Sequence, residues 1–459
     1  MFRFLSRGRE HYPGLSKRVR RNTARSPTHG PPDHVEPDDS ARAWTAQNHE
    51  RTPVTASTSR RVHPHAPPAP DYRGSVGTIT SLRKRPQALE FFAGIGLARI
   101  ALARAGFDVV WSNDYEPDKH AMYSAHFQDG PEHTYVVGDV GGVRAEDLPP
   151  AQLAWASSPC TDLSLAGSRA GLAGRESNAF WLWTALLRDM GDDSPAVVVL
   201  ENVTGLATSH GGDDLRAAIR ELNDLNYSID LLSIDARRFV PQSRPRMFLV
   251  GAKNPPEDTA VASPLRPEWA QSFYGDPTLR MHKAPLPEAP DFLLEGFGKV
   301  VEEMPASDER WWDAQRTENF VRSLSPTQLE RIRLLKQNPD VSYRTAYRRT
   351  RNGVPVWEVR ADDIAGCLRT ARGGSSKQAV VRVGAGRLKV RWMTPLEYAR
   401  LMGAGEFQLS GARNSQALFA FGDAVAVPAV EWLAENYLMP LINGKLAPRA
   451  VTMAARDAR

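Results

Sequence analysis

The sequence contains very little cysteine, with only Cys160 and Cys367 among its 459 residues. Two thiols are too few for a disulfide framework or a cysteine-based zinc site, and this scarcity is typical of proteins from a reducing compartment. The sequence also lacks an uninterrupted apolar stretch near the ~18 residues of a membrane span. The composition therefore argues against disulfide-rich secreted proteins and membrane-spanning proteins, and it predicts a soluble chain without a metal site.

Basic charge is concentrated in the first 85 residues. This segment has 16 Lys and Arg against 7 Asp and Glu, so it carries +9 while the whole chain carries +5, which leaves −4 for the remainder. Its Pro, Arg, Ser and Thr content buries too little apolar surface to offset chain entropy. We predict a disordered tail over residues 1–85, which either holds DNA through its phosphates or is only a solvated extension.

Short apolar runs alternate with helical patterns downstream of the tail. Strands are predicted at 88–91, 108–113, 134–137, 152–157 and 196–200, and the last of these is a continuous apolar run, which is typical of parallel strands covered on both faces. Ligands of such sheets bind at the carboxyl ends of the strands. The sequence therefore predicts a rim formed by residues that follow these strands: Gly94, Asp114, Asp139, Cys160 and Glu201.

Two of these positions carry a nucleotide-binding pattern. Gly94 and Gly96 interrupt the chain between a strand and a helix, where glycine lets the backbone approach a ligand. Asp114 follows the second strand, about 20 residues later, where α/β folds place the acid that binds ribose hydroxyls. The lone thiol of Cys160 is open to two interpretations, because a strand-end cysteine suits a nucleophile, whereas a buried cysteine more often serves packing.

Five motifs, taken in chain order, resemble those of the DNA (cytosine-5) methyltransferases of prokaryotic or phage type. They are Phe92–Gly96, Pro159-Cys160 with Ser164, Glu201–Val203, Gln242–Arg246 and Gly422–Val425. The resemblance implies S-adenosylmethionine as methyl donor and a cytosine flipped out of double-stranded DNA as acceptor. It also implies an α/β fold: a doubly wound, Rossmann-like methyltransferase domain with a smaller mixed, hairpin-containing target-recognition domain.

The resemblance assigns catalytic roles to four residues. Cys160 is the expected nucleophile that attacks carbon 6 of cytosine, which makes carbon 5 reactive toward a methyl donor. Glu201 is expected to bond ring nitrogen 3 and the amino group. Arg246 is the expected contact to the 2-keto oxygen, and Arg244 is expected either to shape the site or to meet a backbone phosphate.

The cofactor site implied by the resemblance uses the carboxyl ends of the first strands and the last motif. Its expected residues are Phe92, Gly94, Ile95, Gly96, Asp114, Tyr115, Asp139, Val140, Pro159, Asp423 and Val425. Two positions depart from the family pattern, which often has a further Gly where Leu97 stands and usually has Asn where Asp423 stands. An ionised aspartate cannot donate the hydrogen bond that an asparagine amide donates.

The βα alternation stops after residue 252 and resumes at Thr394, where Thr394 and Glu397 are spaced as a helix capping box. We predict a catalytic domain over 86–252 and 392–445, a target-recognition domain over 253–391 and a tail over 446–459. Asn352-Gly353 is a hairpin turn signal beside a basic, aromatic strand. The expected DNA-binding residues are Ser164, Arg169, Arg348, Arg349, Arg351, Arg369, Thr370, Arg372, Gly373 and Lys377, whereas Cys367 is expected to be structural.

Alternative functions remain open on the sequence. A tRNA-methylating relative is disfavoured because its Cys-Phe-Thr signature is absent, and an amino-methylating enzyme is disfavoured because no Asp/Asn/Ser-Pro-Pro-aromatic site follows a strand. A catalytically silent DNA-binding protein would have little need for Cys160, Glu201 and Arg246 together. The expected enzyme is cytoplasmic and monomeric, and a restriction endonuclease is a candidate functional partner.

Overall fold

The computed structural model describes residues 84–128, 130–159, 178–351, 353–370 and 377–447. These residues fall within one compact unit, Ile79–Arg459. Most of the two predicted tails lies outside the described residues, and the boundaries predicted near 252 and 391 stay predictions. Five predicted site residues also lie outside them: Cys160, Ser164, Arg169, Arg372 and Gly373.

A seven-stranded sheet forms the larger part of the fold. Its strands are β1 (Gln87–Phe91), β2 (Asp108–Asp114), β3 (Thr134–Val137), β4 (Leu153–Ser157), β5 (Val197–Val203), β6 (Ser228–Asp235) and β7 (Pro245–Ala252). Their order in the sheet is β3-β2-β1-β4-β5-β7-β6. Strands β1 to β5 run parallel to one another, whereas β7 is antiparallel to both β5 and β6. This arrangement confirms the predicted Rossmann-like class. The antiparallel β7 was not predicted.

Helices cover both faces of this sheet. Val197 and Val199 of β5 lie in a hydrophobic cluster on one face, and Val198 and Leu200 lie in a second cluster on the other. The continuous apolar run of β5 is therefore buried on both sides, as expected for a central strand of a parallel sheet. The first helices of the chain are α1 (Leu97–Arg104), α2 (Pro117–Phe127), α3 (Asn178–Asp189) and α4 (Asp213–Asp224).

A second, antiparallel sheet of four strands lies in the segment between β7 and the C-terminal helices. Its strands are β8 (Ser342–Arg351), β9 (Val354–Val359), β10 (Gln378–Gly384) and β11 (Arg387–Trp392), in the order β11-β10-β8-β9. The hairpin predicted at Asn352-Gly353 is present as β8–β9, and a second hairpin, β10–β11, turns at Ala385 (φ 48°) and Gly386 (φ 72°). The helices of this segment are α5 (Gln271–Tyr274), α6 (Phe297–Val300), α7 (Ala314–Arg322) and α8 (Pro326–Gln337).

The chain then returns to the large sheet through α9 (Pro395–Leu401), α10 (Asn414–Asp423), α11 (Val427–Leu433) and α12 (Met439–Ile442). The capping box predicted at Thr394 and Glu397 is present. The stretch Asn414–Ile442 is long and apolar enough for a membrane span by composition, but 67% of its most apolar window is buried. Packing in the core of the domain therefore accounts for its apolar side chains.

The strand order reverses between β1 and β4, and this reversal positions the site. At such a switch point the connections leave in opposite directions and open a crevice at the carboxyl ends of the strands. The loop after β1 and the segment after β4 both lead into this crevice. β5 is longer than predicted and runs to Val203, so Glu201 lies within the strand rather than after it.

Candidate active site

The loop between β1 and α1 owes its shape to two glycines. Gly94 (φ 58°) and Gly96 (φ 80°) adopt the left-handed conformation that favours glycine. A Cβ on Gly96 would lie 2.5 Å from the ring of Phe127 and 2.6 Å from that of Tyr123, whereas a Cβ on Gly94 would lie 3.9 Å from Lys119. Gly96 therefore lets α1 pack on α2, and Gly94 leaves open space at the crevice.

Asp114, at the end of β2, holds this loop in place. Its Oδ2 accepts a hydrogen bond from Gly94 N at 2.9 Å, and its Oδ1 accepts one from Glu116 N at 3.0 Å. The side chain is buried, yet a carboxylate has about four lone-pair positions. It therefore keeps the capacity to accept bonds from ribose hydroxyls. Tyr115, the next residue, is half exposed and donates to Glu116 Oε1.

The neighbouring strand β3 leads into a second carboxylate. Asp139 is exposed, and its Oδ1 accepts a hydrogen bond from Gly141 N at 2.8 Å. Val140, beside it, is buried in the core. Among the remaining predicted cofactor residues, Phe92 and Pro159 are half buried, and Ile95 and Val425 are buried.

This donor and acceptor set fits the expected cofactor. Two carboxylates at neighbouring strand ends match the hydroxyls and amino group of a nucleoside, and apolar side chains lie beside them. The open position at Gly94 gives the backbone access to a ligand. The residues present are therefore compatible with an S-adenosylmethionine site.

Lys119 of α2 lies near this set, and the sequence analysis did not predict it as a site residue. Its Nζ lies 2.8 Å from Asp423 Oδ2, 3.9 Å from Asp114 Oδ2 and 3.8 Å from Glu116 Oε1. Burial disfavours the ammonium, but the surrounding carboxylates outweigh this effect and raise the pKa of Lys119 above its usual range. No local pattern in the sequence indicates the pair of Lys119 and Asp423, because 304 residues separate its members.

Asn202 and Ser158 connect the ends of β5 and β4 on the catalytic side. The side-chain amide of Asn202 donates to Ser158 Oγ at 3.1 Å and to Ser158 O at 3.4 Å. Both residues are buried. Asn202 thus fixes the backbone that leads through Pro159 to the expected nucleophile, a role that the sequence motif alone did not indicate.

Glu201 and Arg246 form a buried pair beside this connection. Arg246 Nε lies 3.1 Å from Glu201 Oε1, and their side chains are 16% and 9% exposed. Burial raises the pKa of Glu201, and the nearby Asp423 carboxylate acts in the same direction. Arg246, Arg244 and a hydrogen bond from Ser157 oppose the shift. The result is a carboxyl group that takes up a proton more readily than an exposed glutamate.

Arg244 is 1% exposed and acts as a tether. Its Nη1 donates to Leu368 O at 2.8 Å, and its Nη2 donates to the carbonyls of Gly422 and Ala424. Of the two roles predicted for Arg244, this geometry favours shaping the site over meeting a DNA phosphate, because the guanidinium is committed to buried backbone oxygens.

Cys367 lies against the same arginines, with its Sγ 3.5 Å from Arg244 Nη1. Burial opposes ionisation of the thiol, but the charges of Arg244 and Arg246 outweigh it and lower the pKa of Cys367. The sequence placed this cysteine in the smaller domain as a structural residue. The structure brings it into contact with Arg244, one of the two arginines predicted to be catalytic.

The three arginines of β8 that were predicted to bind DNA, Arg348, Arg349 and Arg351, lie on two different faces of the second sheet. Arg348 is paired in register with Trp357, whose ring packs on Trp312, Phe320 and Trp392. Directly paired residues share a face, so Arg348 lies on the face covered by these aromatic rings. This placement disagrees with a common DNA-facing role for all three arginines.

Arg349 and Arg351 lie on the other face, together with Tyr347. Both are exposed and bind Glu358, at 3.1 Å and 2.6 Å respectively. Tyr347 is 3.7 Å from the Cβ position of Gly366, next to Cys367. This face therefore adjoins the segment that contains Gly366 and Cys367, and Cys367 contacts Arg244.

The segment after Cys367 passes directly along the last motif. Thr370 Oγ1 donates to Asp423 Oδ1 at 3.5 Å, and a Cβ on Gly422 would lie 2.4 Å from Arg369 O. Arg369 is exposed, and Lys377 is half buried at the start of β10. Thr370 and Arg369 thus lie beside Asp423 and Gly422 of the last motif.

Comparisons with known proteins agree with this geometry. A family model described as C-5 cytosine-specific DNA methylase matches residues 87–438. The Type II methyltransferase M.Bsp6I of Bacillus sp. (strain RFL6) is 29% identical over 171 residues, which are 37% of this chain. The chain thus spans about half, 52%, of the length of that relative.

A longer match is found with the Type II methyltransferase M.DsaV of Dactylococcopsis salina, which is 25% identical over 357 residues, 78% of this chain and 87% of that protein. Among solved structures, the S. pombe Dnmt2 methyltransferase has a TM-score of 0.51 at 17% identity, covering 78% of this chain and 99% of that one. The structural likeness shows a shared fold.

Proposed function

Because this chain belongs to the C-5 cytosine-specific DNA methylase family, we propose that it methylates carbon 5 of a cytosine within a specific sequence of duplex DNA. The methyl donor of this family is S-adenosylmethionine. The observation that carries the proposal is the buried Glu201–Arg246 pair, held at the crevice next to the backbone that leads to Cys160.

The proposed chemistry starts with the thiolate of Cys160. Attack forms a bond from Sγ to carbon 6 of cytosine, and the electrons of the 5,6 double bond move through the ring toward nitrogen 3. Glu201, whose pKa is raised by burial, donates a proton to nitrogen 3 and so stabilises this charge. Carbon 5 then has the electron density needed to form a new carbon–carbon bond.

The cofactor, when bound, supplies an electrophilic methyl group. A base, for which water suffices, then removes the proton of carbon 5. The electron pair of that bond restores the 5,6 double bond, the bond from Sγ to carbon 6 breaks to release the thiolate, and nitrogen 3 returns its proton to Glu201. Arg246 is placed beside Glu201 to hold the ring through its 2-keto oxygen.

The cofactor is proposed to lie along the strand ends described above. Asp114 would accept bonds from the ribose hydroxyls, Asp139 would accept from the adenine amino group, and the loop at Gly94 would lie along the methionine part. The support is the position of these groups at one crevice and the open space at Gly94.

Methylation mapping tests the proposal. The chain is expressed in a host without cytosine methylation, and its DNA is mapped at single-base resolution. We expect 5-methylcytosine in one sequence context, lost with Cys160→Ala and kept with Cys367→Ala, which removes the other thiol. Folded wild-type protein that leaves the DNA unmethylated would overturn the proposal, as would methylation of RNA alone.

The proposal extends to the cellular setting. The Type II names of both relatives above support a role in protecting DNA from a restriction endonuclease that cleaves the same sequence. We propose that the enzyme acts in the prokaryotic cytoplasm as a monomer, since each chain carries one set of the proposed catalytic residues. Resistance of methylated plasmid to cleavage, and the mass of the protein in solution, test these points.

A further inference from the structure

Lys119 is a buried cation surrounded by three carboxylates from different parts of the chain. Asp114 comes from the end of β2, Glu116 precedes α2, and Asp423 ends α10. The short contact is the one to Asp423, at 2.8 Å, whereas the other two are 3.8 and 3.9 Å. The side chain of Lys119 is 9% exposed and that of Asp423 is 39% exposed, so the pair joins a buried cation to a partly exposed carboxylate.

Asp423 has little freedom in its backbone. Gly422 packs against Arg369 O so closely that a Cβ would lie 2.4 Å from that oxygen. Arg244 restrains the same backbone, because its guanidinium donates hydrogen bonds to both Gly422 O and Ala424 O. The side chain of Asp423 is therefore presented from a fixed position, and Lys119 Nζ and Thr370 Oγ1 bind its two oxygens.

The partner of Asp423 explains how the family motif tolerates an acid where asparagine is usual. An uncompensated carboxylate at this position would add negative charge close to Asp114 and Glu201; Asp423 already raises the pKa of Glu201. Lys119 offsets that charge in a partly buried place, where like charges repel strongly. Asp423 thus acts at this position as one half of an ion pair with Lys119.

We propose that Lys119 is a positioning residue for the cofactor: paired with Asp423, it replaces the usual asparagine and holds the Gly422–Val425 segment against the S-adenosylmethionine site. This inference rests on the proposed function. Lys119 acts through Asp423 and Asp114, which both belong to the expected cofactor residues. The positive charge of Lys119 offsets the repulsion between the carboxylates of Asp114 and Asp423, so both can lie at one site.

A double-mutant cycle tests this role. Cofactor affinity is measured by calorimetry on the full chain for wild type, Lys119→Met, Asp423→Asn and the double variant. We expect Lys119→Met to weaken cofactor binding about tenfold, a change of about 1.4 kcal/mol, because the charge of Asp423 is then no longer offset by Lys119 and repels Asp114. Asp423→Asn should change affinity little, since the amide oxygen still accepts a bond from Lys119. The double variant should bind better than Lys119→Met.

Kinetics separate positioning from a merely structural role. With Lys119→Met the KM for the cofactor should rise about tenfold, matching the loss of affinity, while kcat and the KM for DNA stay near wild type. Lys119→Arg, which keeps the charge, should restore most of the affinity. Lys253→Met is the control, because Lys253 follows β7 and bonds Ser194, which precedes β5, at the opposite end of these strands from Glu201.

The outcomes are distinct. Unchanged cofactor affinity in Lys119→Met, or a double variant no better than Lys119→Met, would overturn the inference. If Lys119→Met does not fold, Lys119→Gln with and without Asp423→Asn makes the same comparison. A wild-type protein that binds no cofactor would instead refute the proposed function, so the two failures are distinguishable.

Discussion

Arg246 Nε lies 3.1 Å from Glu201 Oε1 across the neighbouring antiparallel strands β7 and β5. The position of β7 next to β5 brings the two side chains together at the crevice. Burial raises the pKa of Glu201, while the charge of Arg246 limits that rise. The carboxyl group of Glu201 therefore takes up a proton more readily than an exposed glutamate, as a general acid at this place requires.

Glu201→Gln should lower the rate of methyl transfer by about 10²–10⁴, the usual contribution of a positioned general acid. Glutamine fills the same space and can still donate a hydrogen bond, but it cannot transfer a proton. Single-turnover transfer of labelled methyl groups to DNA measures the effect. Glu221→Gln is the matched control, since Glu221 also pairs with an arginine, Arg188, but at the surface. A rate within a few fold of wild type would contradict the role of Glu201.

Arg246→Gln should move the basic limb of the kcat–pH profile to higher pH. Removal of a positive charge beside Glu201 raises its pKa further, so the protonated form persists to higher pH. The rate at the optimum should also fall, because the contact to cytosine is lost. Arg188→Gln provides the control at a surface pair. A profile that keeps its basic limb, or moves it to lower pH, would count against this coupling.

Glu90, inside β1, should make stability depend on pH. Burial raises its pKa to about 7, although Ser112 Oγ and Arg99 N both donate to it. The folded state thus holds a proton that the unfolded state releases near pH 4.5. This stability is complete at low pH and is lost as pH rises through about 7.

Relative to Glu90→Gln, wild type should therefore lose about 3 kcal/mol between pH 4.5 and 8, from a shift of 4.5 to about 7. Urea unfolding at several pH values measures the difference. Glu268→Gln, at an exposed glutamate, should show no such trend. A constant difference between wild type and Glu90→Gln at all pH values would refute the raised pKa.

The strand β8 provides an internal comparison for DNA binding. Arg349→Gln and Arg351→Gln should weaken binding of the methylated sequence, and each should reduce the slope of log affinity against log salt by about 0.9 if it loses one phosphate contact. Arg348→Gln should change neither quantity, since Arg348 shares the face of Trp357. Fluorescence anisotropy over a salt series gives both values. Equal losses for all three variants would contradict the assignment of faces.

Local patterns in the sequence were sufficient for most of the catalytic fold. The apolar run ending at Leu200 predicted a buried parallel strand, and the turn signal at Asn352-Gly353 predicted the β8–β9 hairpin; both elements are present. The end of β5 was placed too early because Glu201 and Asn202 are polar. Their burial is stabilised by Arg246 and Ser158, which lie far away in the sequence.

The parts that the sequence did not reveal depend on long-range contacts. Lys119 has no local feature that distinguishes it from a solvated helix residue, and its partner Asp423 follows 304 residues later. Arg244 and Arg246 look alike in sequence, but one is tethered to buried carbonyls and the other reaches Glu201. The face of each β8 arginine depends on the register with β9, which periodicity alone does not give.

The central claim is that Cys160 forms a covalent bond to carbon 6 of the target cytosine. Duplex DNA with 5-fluorocytosine at the methylated position tests it, because fluorine in place of the carbon 5 proton blocks the release of the thiolate. We predict one stable protein–DNA adduct per chain, dependent on the cofactor and mapped to Cys160 by mass spectrometry. Methylation of ordinary DNA without any trapped adduct, or an adduct mapped to Cys367, would contradict the account.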